Sequence, residues 1–150
     1  LNLPKILGDK ASLEFPKKSM AYLLDENPQG VNTIKLGLNG ANHNIEIIYK
    51  DKKDIIKIGS DKYLKNELLS QPPFTKGVEY LDGQALKVAV NGAWISSKQY
   101  LLRMYFYEST ASVDYTFNFE GNDFFWETKF NHIVGIFGDS ISTITGQKVK

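Results

Sequence analysis

The residues of this chain best suited to chemistry are two histidines, one arginine and a dense band of aromatic side chains. His43 stands in Asn42-His43-Asn44, beside the Asn39-Gly40 dipeptide, and reads as a solvated turn residue. His132 follows Phe130-Asn131, and a triad with Asp123 or Ser140 can be drawn for it on paper, but triads are defined by geometry rather than by presence. No serine is followed three residues later by lysine and no G-x-S-x-G occurs, so two common signatures of a serine nucleophile are missing. Cysteine is absent, which removes thiolate nucleophiles, thiolate metal ligands and disulfides. Asp9, Asp25 and Glu26 supply carboxylates without the spacing of a calcium loop, and two distant histidines do not make a transition-metal set. Gly37, Gly40 and Gly59 fall at strand ends and turns, not at a strand-to-helix junction where a phosphate would be cradled. No catalytic residue, metal ligand or cofactor is assigned.

Arg103 stands alone among eighteen basic residues, the rest being lysine. Its neighbours Leu102, Met104 and Tyr105 imply partial burial, where a charge needs a partner. Two readings stay open: a structural pair with Glu108, Glu127 or Asp114, or an anchor for a ligand. Around it Tyr105, Phe106, Tyr107, Tyr115, Phe117, Phe119, Phe124, Phe125, Trp126 and Phe130 crowd into one stretch. By alternation half must face a core; the others suit an aromatic-lined cavity or a docking face. Arg103, Tyr105, Tyr107, Glu108, Trp94 and Trp126 are therefore the candidate ligand-binding or interface residues.

A chain of 150 residues is the length of one domain and buries enough surface to need no staples. A formal net charge of +1 gives no electrostatic footprint for nucleic acid. The lysine clusters at 17–18 and 50–53 are diluted by acids or flank strands, and read as solvated. No run of apolar residues is long enough for a membrane-spanning helix. The N-terminus lacks the pattern of a signal peptide, and its start at Leu1 suggests a processed or excised piece. The absence of cysteine suits an exported bacterial protein.

The elements that must position these residues are strands. Val113, Tyr115, Phe117 and Phe119 alternate with Asp114, Thr116, Asn118 and Glu120, and a second alternating run follows the Gly121-Asn122 turn, so 113–120 and 123–131 predict a hairpin. Residues 99–108 form a long strand with bulky side chains on both faces, which predicts a central position or a covered outer face. Further strands are expected at 19–26, 31–39, 44–50, 54–59, 84–94 and 141–149. Residues 66–80, with Pro72-Pro73, read as a long connection. Asn27-Pro28-Gln29-Gly30, Asn39-Gly40, Asp51-Lys52-Lys53, Asp82-Gly83 and Asn91-Gly92 read as turns. The expected architecture is all-β: a single antiparallel up-and-down barrel or strongly curved sheet of eight to ten strands, lipocalin-like, in one domain.

The C-terminal half carries an ordered series: Gly92-Ala93-Trp94, Tyr105-Phe106-Tyr107-Glu108, Tyr115-Thr116-Phe117-Asn118-Phe119, Trp126 and Thr145-Gly146. Tyr22 and Asn27-Pro28-Gln29-Gly30 precede it. Together, over about residues 19–147, the series resembles the non-catalytic lipocalin-like β-domain at the C-terminus of bacterial serine hydrolases of the β-lactamase and penicillin-binding-protein-like class. The stretch after His132 departs from that pattern in being polar and poor in proline. The resemblance implies an accessory, extracytoplasmic domain that packs against or positions an attached hydrolase domain and has no catalytic residue of its own. Trp94 and Trp126 would be core or rim anchors, and Glu108 would pair with Arg103 or cap the turn at 109–112. The alternative expectation is an envelope protein that binds a small apolar ligand inside its barrel.

Overall fold

Alternating burial along each segment builds one antiparallel sheet. A computed structural model describes residues 19–38, 43–60, 62–68, 86–107, 112–130 and 141–149. Within them run β1 (Met20–Leu24), β2 (Val31–Gly37), β3 (His43–Tyr49), β4 (Lys53–Ile58), β5 (Leu64–Leu68), β6 (Leu86–Ser96), β7 (Gln99–Phe106), β8 (Ser112–Glu120), β9 (Asp123–Phe130) and β10 (Ile141–Lys148). No helix occurs among the described residues. The strand order β4-β3-β2-β1-β10-β9-β8-β7-β6-β5 joins two meanders through the first and last strands. Tyr22 pairs with Lys148 and Leu24 with Gly146 at that junction, and the Val149 N–H extends it onto the Ala21 carbonyl at 2.9 Å. The result is a nearly closed, barrel-shaped sheet of ten antiparallel strands, lipocalin-like in outline.

The period-two pattern decides which face is inside. On β7 the fully buried positions are Tyr100, Leu102 and Met104, while Leu101, Arg103 and Tyr105 are only partly covered. On β8 Val113, Tyr115, Phe117 and Phe119 point inward. The hairpin they form with β9 keeps a continuous register from Val113↔Phe130 to Glu120↔Asp123. Gly121 closes it at φ +62°, a left-handed conformation that glycine adopts without a side-chain penalty. β1 settles the 19–26 segment as a strand. β7 is central, between β6 and β8, as its two bulky faces predict.

Two expectations are corrected. Asn91-Gly92 is not a turn: it lies inside β6, where Asn91 pairs with Arg103 and Gly92 with Leu102, and the chain reverses at Ser97-Lys98 instead. Tertiary crowding explains the dipeptide. A Cβ on Gly92 would collide with the Tyr100 hydroxyl and stand 2.8 Å from Ile58 Cγ2, so the strand needs glycine for close approach rather than for turning. The second correction is β5. Residues 64–68 pair with β6 from Leu64↔Val90 to Leu68↔Leu86, so the segment beginning at 66 is not wholly a connection. Asn66, on the same parity as Leu64 and Leu68, breaks the apolar pattern that would have marked the strand. The expected turns at Asn39-Gly40, Asp82-Gly83 and 109–112, together with Lys17-Lys18, Asp9, Glu108, His132 and most of 66–80, lie wholly or largely outside the described residues.

Candidate functional site

The predicted site residues divide between two faces of the sheet. Arg103, Tyr105 and Tyr107 share the outer face, because odd positions of β7 point out. Arg103 lies directly across from Asp114 on β8. Its Nε donates to Asp114 Oδ1 at 2.7 Å and its Nη2 to Oδ2 at 2.9 Å, a planar two-pronged match of guanidinium to carboxylate. Of the proposed partners that lie among the described residues, Asp114 and Glu127, Asp114 is therefore the one that holds it. Glu127 is exposed and faces Thr116 in the ladder. The bond to Asp114 is the main reason the guanidinium is held even more firmly protonated than usual, and burial works against it.

A residue that sequence reasoning missed completes this face. Tyr63, in the link between β4 and β5, lays its ring against Tyr105, with centroids 5.4 Å apart and planes at 66°. Its hydroxyl is hydrogen-bonded to Arg103, and its phenol is pushed up to about 12, first by burial and then by Tyr105, against the pull of the guanidinium. Lys65 places its ammonium 5.3 Å from the Tyr107 ring centroid. The link is pinned beneath by Asn91, whose Nδ2 donates to the carbonyls of Gly59 at 2.7 Å and Ser60 at 3.2 Å. Four side chains, Tyr63, Arg103, Tyr105 and Tyr107, thus form a stripe on the outside of β6–β8, held in place by Asp114 and Lys65.

Trp94 and Trp126 are inside, apart from that stripe. Trp94 donates its indole N–H to the Leu38 carbonyl at 2.8 Å and meets the Tyr100 ring edge-on at 5.4 Å. Tyr100 in turn sits 3.2 Å from His43 Nδ1, so His43 is a half-buried β3 residue tied to the core, not a solvated turn residue. Burial raises the Tyr100 phenol well above the ordinary tyrosine range. Tyr22, Phe117, Phe119 and Phe124 continue the packing, with Tyr22 stacked on Phe124 at 4.6 Å.

Towards the opposite end of the barrel the interior becomes more polar. Trp126 lies edge-on to Tyr115 at 4.9 Å and to Phe117 at 5.6 Å. Its indole N–H is buried without a hydrogen-bond partner among the described residues. Tyr115 is raised by burial and then by Tyr49 and Asp54. Asp54 points inward with Ile56 and Ile58 and is 4% exposed. The parity of β4 carries the signal for it: 54, 56 and 58 are the inward positions. Among the described residues no group of three or more His, Cys, Asp or Glu side chains converges on a possible metal position, and no helix is long and apolar enough to cross a membrane.

The fold and these two faces define a ten-stranded antiparallel barrel with an aromatic core and an arginine–tyrosine stripe outside it. No protein-family model matches the chain, and a search among curated proteins finds no match to its sequence.

Proposed function

We propose that the chain is a non-catalytic accessory β-domain attached to a bacterial serine hydrolase of the β-lactamase and penicillin-binding-protein-like class, and that it packs against or positions the catalytic domain at the cell envelope. The observation that carries this reading is the outer stripe. Tyrosine and arginine are the residue types that dominate protein–protein interfaces. Here Arg103 is pre-set by two bonds to Asp114, and Tyr105 by the Tyr63 ring. Ordering costs of association are thereby lowered before a partner arrives. The ordered aromatic series of residues 92–146, which resembles that of such domains, supports a hydrolase domain as the partner. The test uses the reading frame that contains the chain, expressed whole. Ester or β-lactam hydrolysis is expected from the attached domain, reduced by R103A and Y105A together, while the isolated chain turns over neither a chromogenic ester nor a chromogenic β-lactam. Turnover by the isolated chain that one substitution such as H43A abolishes overturns the proposal.

One observation favours a second reading, a small-ligand binder. The Trp126 N–H has no acceptor among the described residues, and it lies in the barrel half that also holds Tyr115 and Asp54. A ligand carbonyl would satisfy it. Titration with a short aliphatic ester, followed by indole fluorescence, should then give saturable quenching that W126F lacks; no quenching in either protein removes this reading.

A further inference from the structure

The link that carries Tyr63 leaves β4 at Ile58 and enters β5 at Leu64. Both of its ends are fastened to one place on β6. Gly59 N–H donates to the Val90 carbonyl at 3.2 Å and Gly92 N–H to the Gly59 carbonyl at 3.0 Å, while Leu64 pairs with Val90. Beyond the link, Asn66 ties β5 back to β4 across their seam: Lys57 N–H donates to its Oδ1 at 2.8 Å, and its Nδ2 donates to the Lys57 carbonyl at 2.7 Å. The stretch between the anchors therefore arches over Asn91. The Asn91 carboxamide sits under the arch, with Nδ2 2.7 Å from the Gly59 carbonyl oxygen, 3.2 Å from that of Ser60 and 3.4 Å from that of Lys62. The curl is tight, since a Cβ on Gly59 would collide with the Lys62 carbonyl. Asn91 pairs with Arg103 in the ladder, so Tyr63 meets Arg103 and Tyr105 across the row that Asn91 occupies. Asn91 itself has no exposed surface. A buried amide is tolerated only where acceptors are held against it, so the bonds that satisfy Asn91 also fix the curve of the link.

We propose that Asn91 is a positioning residue for the outer stripe: by drawing the carbonyls of residues 59, 60 and 62 onto one amide it sets where Tyr63 lies over Arg103 and Tyr105, so that a side chain with no surface of its own governs what the docking face presents. The proposal rests on the reading of that stripe as the face that meets a partner domain. Setting the Tyr63 ring in advance lowers the ordering cost of association, and loss of the Asn91 amide returns that cost to the binding step.

Titration of the tyrosine rings tests the positioning, followed by NMR in a chain with isotope-labelled tyrosine and assigned with Y63F. In the wild type the Tyr63 phenol is pushed up to about 12, first by burial and then by Tyr105. In N91A, where the link is no longer held down, it should titrate at about 11 or below, part of the way to the ordinary tyrosine value of about 10. N91S, a milder change that keeps one donor, should move it the same way by less, and decides the matter if N91A does not fold. F124L, which loosens the cluster of Tyr22, Phe117 and Phe119, should leave it in place. A Tyr63 titration unmoved in the asparagine variants, or moved as far by F124L, overturns the proposal. A second arm uses the reading frame expressed whole. Hydrolysis in N91A should fall to about the level of the R103A/Y105A double variant. A fall in the double variant without one in N91A also overturns the proposal. No fall in the double variant counts against the docking face itself, and the Tyr63 titration then decides the positioning role alone.

Discussion

Removing the Asp114 carboxylate is the sharpest test of how the outer face is built. In D114A, Arg103 loses both of its bonds, at 2.7 and 2.9 Å, and keeps the Tyr63 hydroxyl. Hydrogen bonds to a charged group contribute a net 1.5–3 kcal/mol or so each, but two bonds to one carboxylate do not add in full. The guanidinium side chain is also 26% exposed, so water replaces part of what is lost. An expected loss of about 2 kcal/mol follows, below the roughly 3–5 kcal/mol typical of breaking a fully buried pair. At this chain length that corresponds to a fall of about 4–8 °C in Tm. The assay is urea unfolding of wild type, D114A, R103M and the double variant. The double-mutant cycle should return a coupling of about 1–2 kcal/mol. The Tyr63 phenol gives an independent signal: it should titrate below its value of about 12 in D114A and above it in R103M, because Asp114 raises it and Arg103 lowers it. A coupling near zero, or a Tyr63 titration unmoved in both variants, refutes the claim that these residues act as one unit.

Other outcomes follow from the interior. G92A should lose about 1–3 kcal/mol of stability in thermal unfolding through overpacking, and Y100F should recover part of that loss, since it removes the hydroxyl that the new methyl meets. W94F should cost roughly 1 kcal/mol more than W126F, because Trp94 has an indole acceptor to lose and Trp126 has none among the described residues; equal losses in urea unfolding contradict this. At alkaline pH the folded phenols of Tyr100 and Tyr115 hold their protons more tightly than unfolded tyrosine does. Their contribution is therefore fully present below pH about 10 and is lost as pH rises beyond it. Urea midpoints should be flat between about pH 7 and 9 with respect to these groups and fall above 10, less steeply in Y100F.

The strands that were legible in the sequence are those whose two faces differ in polarity. Val113 to Glu120 alternates without a break, and Gly121 marks its end, so hairpin, register and inward face all follow from pattern. Arg103 was legible as a charge in need of a partner, but its choice among Asp114, Glu108 and Glu127 depends on ladder register, which a sequence does not display. Tyr63 carries no local signal for its place over Arg103, because the contact arises only when the β4–β5 link folds across β6. Asn91 and Asn66 mislead for one physical reason. Each uses its carboxamide as a stand-in for a peptide group, reaching carbonyls 25 or more residues away in one case and across a seam in the other, whereas local statistics treat asparagine as a turn former. Trp94 and Trp126 belong with the core by the same alternation that places Arg103 outside; grouping all six candidate residues into one site overlooked that parity.

The junction of β1 with β10 has a mechanical consequence. These strands run antiparallel, and the segments flanking them leave from the same end, where Val149 meets Ala21. Tension drawn through those two segments loads the rungs one after another instead of all at once. The barrel is thus built to peel from its first and last strands, with β6 to β9 as the part that resists longest.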